Sequence, residues 1–195
     1  MLLNILTSTF LVAGVQAIGR AIITNQCDLP VYVWSVGNNV SQQYTLGLDQ
    51  SYSEVFHTDP GADNTSLIFS TMDGGFSIPN TSHTVFTYTL KGDQVEYELD
   101  DVVPLYQYNL FSGETVKITA TDPNCNNITW GNGRPPAEKQ VESCQAGSDL
   151  ELSFCTGHCL PAWFPCGSNA PPGDTRQCCT HCIGDHHCIA VSEPV

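Results

Sequence analysis

The placing of its ten cysteines constrains this chain of 195 residues more than any other feature. Cys27 stands near the start and none follows until Cys125; Cys144 and Cys155 come next, and the last six fall between Cys159 and Cys188. An even number favours complete pairing, provided the chain matures in an oxidising compartment. The first 17 residues, MLLNILTSTFLVAGVQA, read as a leader to such a compartment. An apolar run covers Ile5 to Val15, and Val15-Gln16-Ala17 fits small-residue cleavage, so the mature chain is expected to begin at Ile18. The usual basic n-region is missing, since no Lys or Arg precedes Arg20. The run is too short to span a bilayer, which takes about 20 apolar residues.

Four N-glycosylation sequons agree with export: those of Asn39, Asn64, Asn80 and Asn127. All 20 acidic and all 6 basic side chains lie after Ala17, so the mature net charge stays at -14. Such a surface repels phosphate backbones and anionic lipid, so neither nucleic acid nor membrane is an expected partner. Solubility alone is a sufficient reason for the acidity.

Reading from Cys159, the spacing is C-x6-C-x11-CC-x2-C-x5-C. It resembles the inhibitor-cystine-knot, or knottin, pattern. That resemblance implies the pairs Cys159–Cys179, Cys166–Cys182 and Cys178–Cys188. A segment this short needs staples because it cannot bury enough apolar surface to offset its chain entropy. Cys27, Cys125, Cys144 and Cys155 then remain, with three connectivities open. Cys27–Cys155 with Cys125–Cys144 is preferred, because the first bridge ties together the ends of the segment it brackets. Closing so long a loop is worth roughly 5 kcal/mol in the chain-entropy account.

Between Ile18 and Cys155 the hydrophobic pattern has period two, with no convincing helix. The expected strands are 20–24, 31–36, 52–56, 66–71, 85–90, 95–99, 115–120 and 150–154. Turn signals separate them at Gly37-Asn38-Asn39, Asp59-Pro60-Gly61, Asp73-Gly74-Gly75 and Lys91-Gly92-Asp93. Short strands at this spacing predict an all-β antiparallel sandwich or flattened barrel. The expected organisation is a leader over 1–17, a β-sandwich over 18–156 and a cysteine-rich module over 157–195.

The opening Gly19-Arg20-Ala21-Ile22-Ile23-Thr24-Asn25-Gln26-Cys27, then Pro30-Val31-Tyr32-Val33-Trp34-Ser35-Val36-Gly37, resembles the fungal yeast-phase-specific (Bys-type) protein family. So do Tyr97 to Val102, Asn124-Cys125 to Trp130, and Asp149 to Leu152 before Cys155. The resemblance covers Gly19 to Cys155 and implies a small, secreted, thaumatin-like protein. Where the family commonly has a Gly-Asp-Pro-Phe turn, this chain has Val103-Pro104-Leu105-Tyr106. Plant thaumatin-like proteins are similar more distantly; they carry an acid-lined cleft, and some bind β-glucan. Glu96, Glu98 and Asp100 share one face of a strand and are the candidates for such a cleft. The plainer reading is a solvated strand face.

Signatures of catalysis are missing: there is no G-x-S-x-G, H-E-x-x-H or P-loop. His57 and Asp59 can be drawn as parts of a catalytic site, but such residues are common on loops. His158, His181, His186 and His187, with Cys179-x2-Cys182, can be drawn as a zinc site. Oxidation would remove the thiolates, so no metal and no cofactor is expected. Trp163 and Phe164 stand in a short loop between tail cysteines. They either form a binding anchor or pack on the β-domain. The expectation is a secreted, non-enzymatic binding or effector-like protein, with a cell-wall polysaccharide or a host or secreted protein as candidate partner. Its rivals are a β-glucan binder or weak glucanase using the acidic strand, and a knottin-type inhibitor of a secreted enzyme.

Overall fold

Alternating side chains need a second layer to cover their apolar face, and here two sheets cover each other. The computed structural model describes residues 17–103, 110–111 and 113–156, with the backbone of four two-residue strands beyond them. The eleven strands of the β-domain are β1 (Arg20–Asn25), β2 (Val31–Val36), β3 (Tyr44–Leu46), β4 (Gln50–Val55), β5 (Thr65–Ser70), β6 (His83–Lys91), β7 (Gln94–Val102), β8 (Val116–Ala120), β9 (Ile128–Trp130), β10 (Val141–Gln145) and β11 (Leu150–Phe154). One sheet has five strands in the order β4-β1-β11-β8-β9. The other has six, in the order β10-β7-β6-β5-β2-β3.

The inward rows form one core. Ala21 and Ile23 of β1, Val116 and Ile118 of β8, and Leu150, Leu152 and Phe154 of β11 face Val31, Val33, Leu67, Phe69, Phe86, Tyr88, Val95, Tyr97 and Leu99 from the other sheet. Phe154 stacks between Phe69 and Phe111, with ring centroids 5.4 and 4.7 Å away. The longest hairpin joins β6 to β7 and closes on Lys91 opposite Gln94. Gly92, with φ 68, takes the first place of its two-residue turn, where a side chain would be strained.

One pair departs from the antiparallel pattern: β1 and β11 run parallel, with Ala21 opposite Leu150 and Asn25 opposite Phe154. The two ends of the domain therefore lie side by side inside the five-stranded sheet. Just past that pair Cys27 is bonded to Cys155, and a second disulfide joins Cys125 to Cys144 of edge strand β10. Asn25 is fully buried and satisfied: its amide donates to Leu29 O and Leu46 O, and its Oδ1 accepts the Cys27 N–H. This side chain ties the β1–β2 loop to the end of β3.

Beyond Thr156 the described backbone forms two short pairs. Cys159–Leu160 runs parallel to Gln177–Cys178, and Cys182–Ile183 runs antiparallel to His187–Cys188. The three cystine pairings expected there, Trp163, Phe164, the tail histidines and the 1–16 part of the leader lie outside the described residues or side chains.

Candidate binding site

The two sheets end beside each other at one corner. β3 closes the six-stranded sheet, β4 closes the five-stranded sheet, and only Gly47 to Asp49 separates them in the chain. Gln50 shapes this corner: its N–H donates to Gly47 O at 3.1 Å and its Oε1 accepts the Gly47 N–H at 2.9 Å. An open groove of about 370 Å³ runs along the corner, lined by Tyr44, Thr45, Leu46, Gln50, Ser51 and Tyr52. The rings of Tyr44 and Tyr52, one from each sheet, lie 4.6 Å apart and 43° from parallel.

A carboxylate fixes the groove from behind. Glu54 points inward from edge strand β4; its Oε2 accepts the Tyr52 hydroxyl at 2.7 Å and its Oε1 accepts the Tyr88 hydroxyl at 2.6 Å. Burial, and then the hydrogen bond to Glu54, push both phenols far above the ordinary tyrosine range. Each oxygen of Glu54 thus holds a phenol that stays protonated, so Glu54 orients side chains here.

His57 continues the chain of contacts. Its Nδ1 lies 3.0 Å from both Val55 O and the Tyr88 hydroxyl, and its Nε2 lies 3.5 Å from Asp59 Oδ1. Asp59 Oδ2 accepts the Asn38 N–H at 3.1 Å, which ties the β4–β5 loop to the β2–β3 turn. His57 and Asp59 were visible in the sequence as loop residues of interest. Tyr44, Tyr52, Glu54 and Tyr88 were not. The available signal is Tyr52-x-Glu54 alternating toward Phe56 on a strand whose other members are Gln50, Ser51, Ser53 and Val55.

The acidic strand lies elsewhere. Glu96, Glu98 and Asp100 project from the outer face of the six-stranded sheet. Lys91 pairs with Glu96, and Lys139 pairs with Glu98 at 3.0 Å and Asp100 at 3.6 Å. The hydrogen bond to Glu98 raises the Lys139 ammonium above its ordinary value. Asp101, next along, turns inward, and burial pushes its carboxyl up to about 6. All four sequon asparagines, Asn39, Asn64, Asn80 and Asn127, are exposed. Asp122, Cys125 and Cys144 are the one group of three possible metal ligands among the described residues, but both cysteines are spent in a disulfide. No described helix is long and apolar enough to cross a membrane.

Comparison with known proteins supplies the family. An antigenic thaumatin-like protein of Arthroderma benhamiae is 23% identical over 153 residues, which are 72% of each chain. The crystal structure of the protein elicitor MoHrip2 from Magnaporthe oryzae superposes with a TM-score of 0.56 at 21% identity, over 71% of this chain and 99% of that one. The thaumatin-like xylanase inhibitor TLXI gives a TM-score of 0.48 at 14% identity, over 69% and 98%. The two-sheet sandwich shares its fold with the elicitor, and the match of residues 8–156 to the family model described as Blastomyces yeast-phase-specific protein (Bys1) shows that the chain belongs to that fungal family.

Proposed function

We propose that this chain is exported, cleaved after Ala17, glycosylated, and acts without catalysis as a binding or effector-type protein at the fungal wall or a host surface. The groove at the β3–β4 corner carries the reading. It is open and partly aromatic, and the one carboxylate behind it is saturated by two phenols. That arrangement suits recognition, in which fixed groups lose little entropy when a ligand docks. The exposure of all four sequon asparagines supports export. So does kinship: a solved protein of this fold is named an elicitor, and a relative is named an antigenic thaumatin-like protein. Within the reading, 18–156 is the recognition domain and 157–195 a separately stapled module whose Trp163 and Phe164 add a second contact.

The test is to secrete the full chain from a fungal host and incubate the purified protein with insoluble wall polysaccharide and with host tissue. The expected result is an N-terminus at Ile18, saturable retention on one of these surfaces, and no release of reducing sugar. Turnover of the polysaccharide, or retention on neither surface, overturns the reading.

A further inference from the structure

In the exported setting proposed above, we infer that Tyr44 and Tyr52 form an oxidative cross-linking site, where a peroxidase-type one-electron oxidant joins the two rings by a carbon–carbon bond and staples edge strand β3 to edge strand β4. The sandwich has two seams at which edge strands of different sheets come together, β9 with β10 and β3 with β4. The first is already closed covalently: Cys125, just before β9, is bonded to Cys144 of β10. The second holds no disulfide among the described residues. It holds two phenol rings in contact, one from each sheet.

Both tyrosines belong to the inward rows of their strands, Tyr44 opposite Val33 and Tyr52 opposite Ile23, at the side where the sandwich opens to solvent. Their ring centres lie 4.6 Å apart, with the planes 43° from parallel. Two phenol rings joined directly keep their centres at nearly that separation and twist out of a common plane by a similar angle. Rotation of the side chains therefore suffices for coupling, without a shift of the strands. Among the described residues this is the one pair of tyrosine rings in contact: Tyr88 and Tyr97 are buried in the core, and Tyr32 lies on the outer face of β2. Tyr44 and Tyr52 instead line the open groove, where an oxidant can reach them.

The chemistry needs each phenol to lose one electron and one proton, which leaves a phenoxyl radical. Burial and the bond to Glu54 keep the Tyr52 phenol protonated, so its proton has to leave with the electron. Glu54 Oε2, 2.7 Å from that hydroxyl, is placed to accept it, and Tyr88 holds the other carboxylate oxygen in position at 2.6 Å. The Tyr44 proton passes to water in the groove. The unpaired electron of each radical is shared with the ring carbons beside the oxygen, and the new bond forms between one such carbon on each ring. The hydrogen on each bonded carbon then moves as a proton to a phenolic oxygen, which restores both aromatic rings and both hydroxyls. The protein gives up two electrons and two protons in all; one hydrogen peroxide, acting through a haem peroxidase, takes them and becomes two waters.

The test treats the full secreted chain, kept dilute, with a haem peroxidase and hydrogen peroxide. The expected product is a monomer that shows dityrosine fluorescence. Digestion before aspartate places the two tyrosines on separate peptides, Asp28–Leu48 and Asp49–Thr58. After reduction of the disulfides these two peptides should stay joined, with a combined mass lower by two hydrogen atoms. Tyr44→Phe should abolish the joined pair. Tyr52→Phe should do the same but also frees a Glu54 oxygen, so Tyr44→Phe decides. Tyr32→Phe, which alters the other tyrosine of the first peptide, should leave the yield unchanged. The inference is overturned by the lack of a joined pair under conditions that couple N-acetyltyrosine, by a joined pair that survives Tyr44→Phe, or by links found only between chains. Retention on wall or tissue is read on the untreated chain, so the binding role and the cross-linking site fall separately.

Discussion

Replacing Asp101 by Asn should change how stability depends on pH. Asp101 is the last inward residue of β7, after the buried Val95, Tyr97 and Leu99. Its Oδ1 accepts the Thr84 hydroxyl at 2.9 Å, while its Oδ2 is buried without a partner among the described residues. Burial lifts the carboxyl from 3.8 to about 6; the Thr84 bond pulls it back in part, and the neighbouring Asp100 charge pushes it up. A value raised in the folded state means that the native protein holds this proton more tightly than the unfolded chain. Its contribution to stability is therefore complete below about pH 4 and is lost as the pH rises through about 6. At about 1.4 kcal/mol per pH unit, the gap caps the effect at about 3 kcal/mol. The residue is only half-buried, and solvent screening reduces that to about 1–2 kcal/mol. The assay is urea unfolding of the full, disulfide-intact chain at about pH 4.5 and about pH 7.5. Other carboxylates titrate in the same window, so the comparison is between two slopes. The native chain should lose about 1–2 kcal/mol more than Asp101→Asn across that interval. The buried amide of the variant adds an offset that pH does not change, so the offset leaves the comparison intact. Equal slopes refute the reasoning, because the proton would then not reside on residue 101.

Other perturbations follow from the same geometry. Removing Cys27–Cys155, whose members lie 128 residues apart, should cost about 5 kcal/mol, and removing Cys125–Cys144, 19 apart, about 3 kcal/mol; denaturant midpoints of the two double Cys→Ser variants give the order. Gly133 has φ 62, and a Cβ there would stand 1.8 Å from Phe111 O, so Gly133→Ala should destabilise by about 2 kcal/mol or more in the same assay. Tyr88→Phe takes away a hydroxyl that Glu54 accepts and should cost about 1–3 kcal/mol by thermal melting. Lys139→Ala removes only exposed ion pairs and should move stability by less than about 1 kcal/mol.

The strands that the sequence announces are those with a buried row on one side. β2 and β11 occupy the expected residues because their inward members, Val31 and Val33, Leu150, Leu152 and Phe154, recur at every second place. β6 and β7 run longer than expected, since the Gly92 turn lets their pairing continue to Lys91 and Gln94. Three strands escape the sequence pattern, and all three are edges. β3 is Tyr-Thr-Leu, β9 is Ile-Thr-Trp, and β10 is Val-Glu-Ser-Cys-Gln with one buried side chain. A strand of three residues holds too few alternations to stand out, and an edge strand needs fewer apolar ones. The parallel β1–β11 pair escapes for another reason. Period two fixes which side chains share a face but is silent on the relative direction of strands more than a hundred residues apart.

The site was hidden by the same physics. Glu54 and Glu98 look alike in the sequence, each an acid flanked by alternating partners on a strand. Their places differ. Glu98 sits on an outer sheet face, where a lysine answers it, and a solvated face is all its surroundings require. Glu54 sits on an edge strand and points inward, where two phenols, from its own strand and from the other sheet, take its oxygens. An inward charge at a sheet edge blocks the approach of another strand, because pairing would bury that charge further. At this corner the block comes with a by-product. One of the phenols that hold this charge, Tyr52, turns one side toward the groove and meets Tyr44 across it. A corner made unsuitable for a protein strand thereby keeps two aromatic rings, one from each sheet, in contact along its open side.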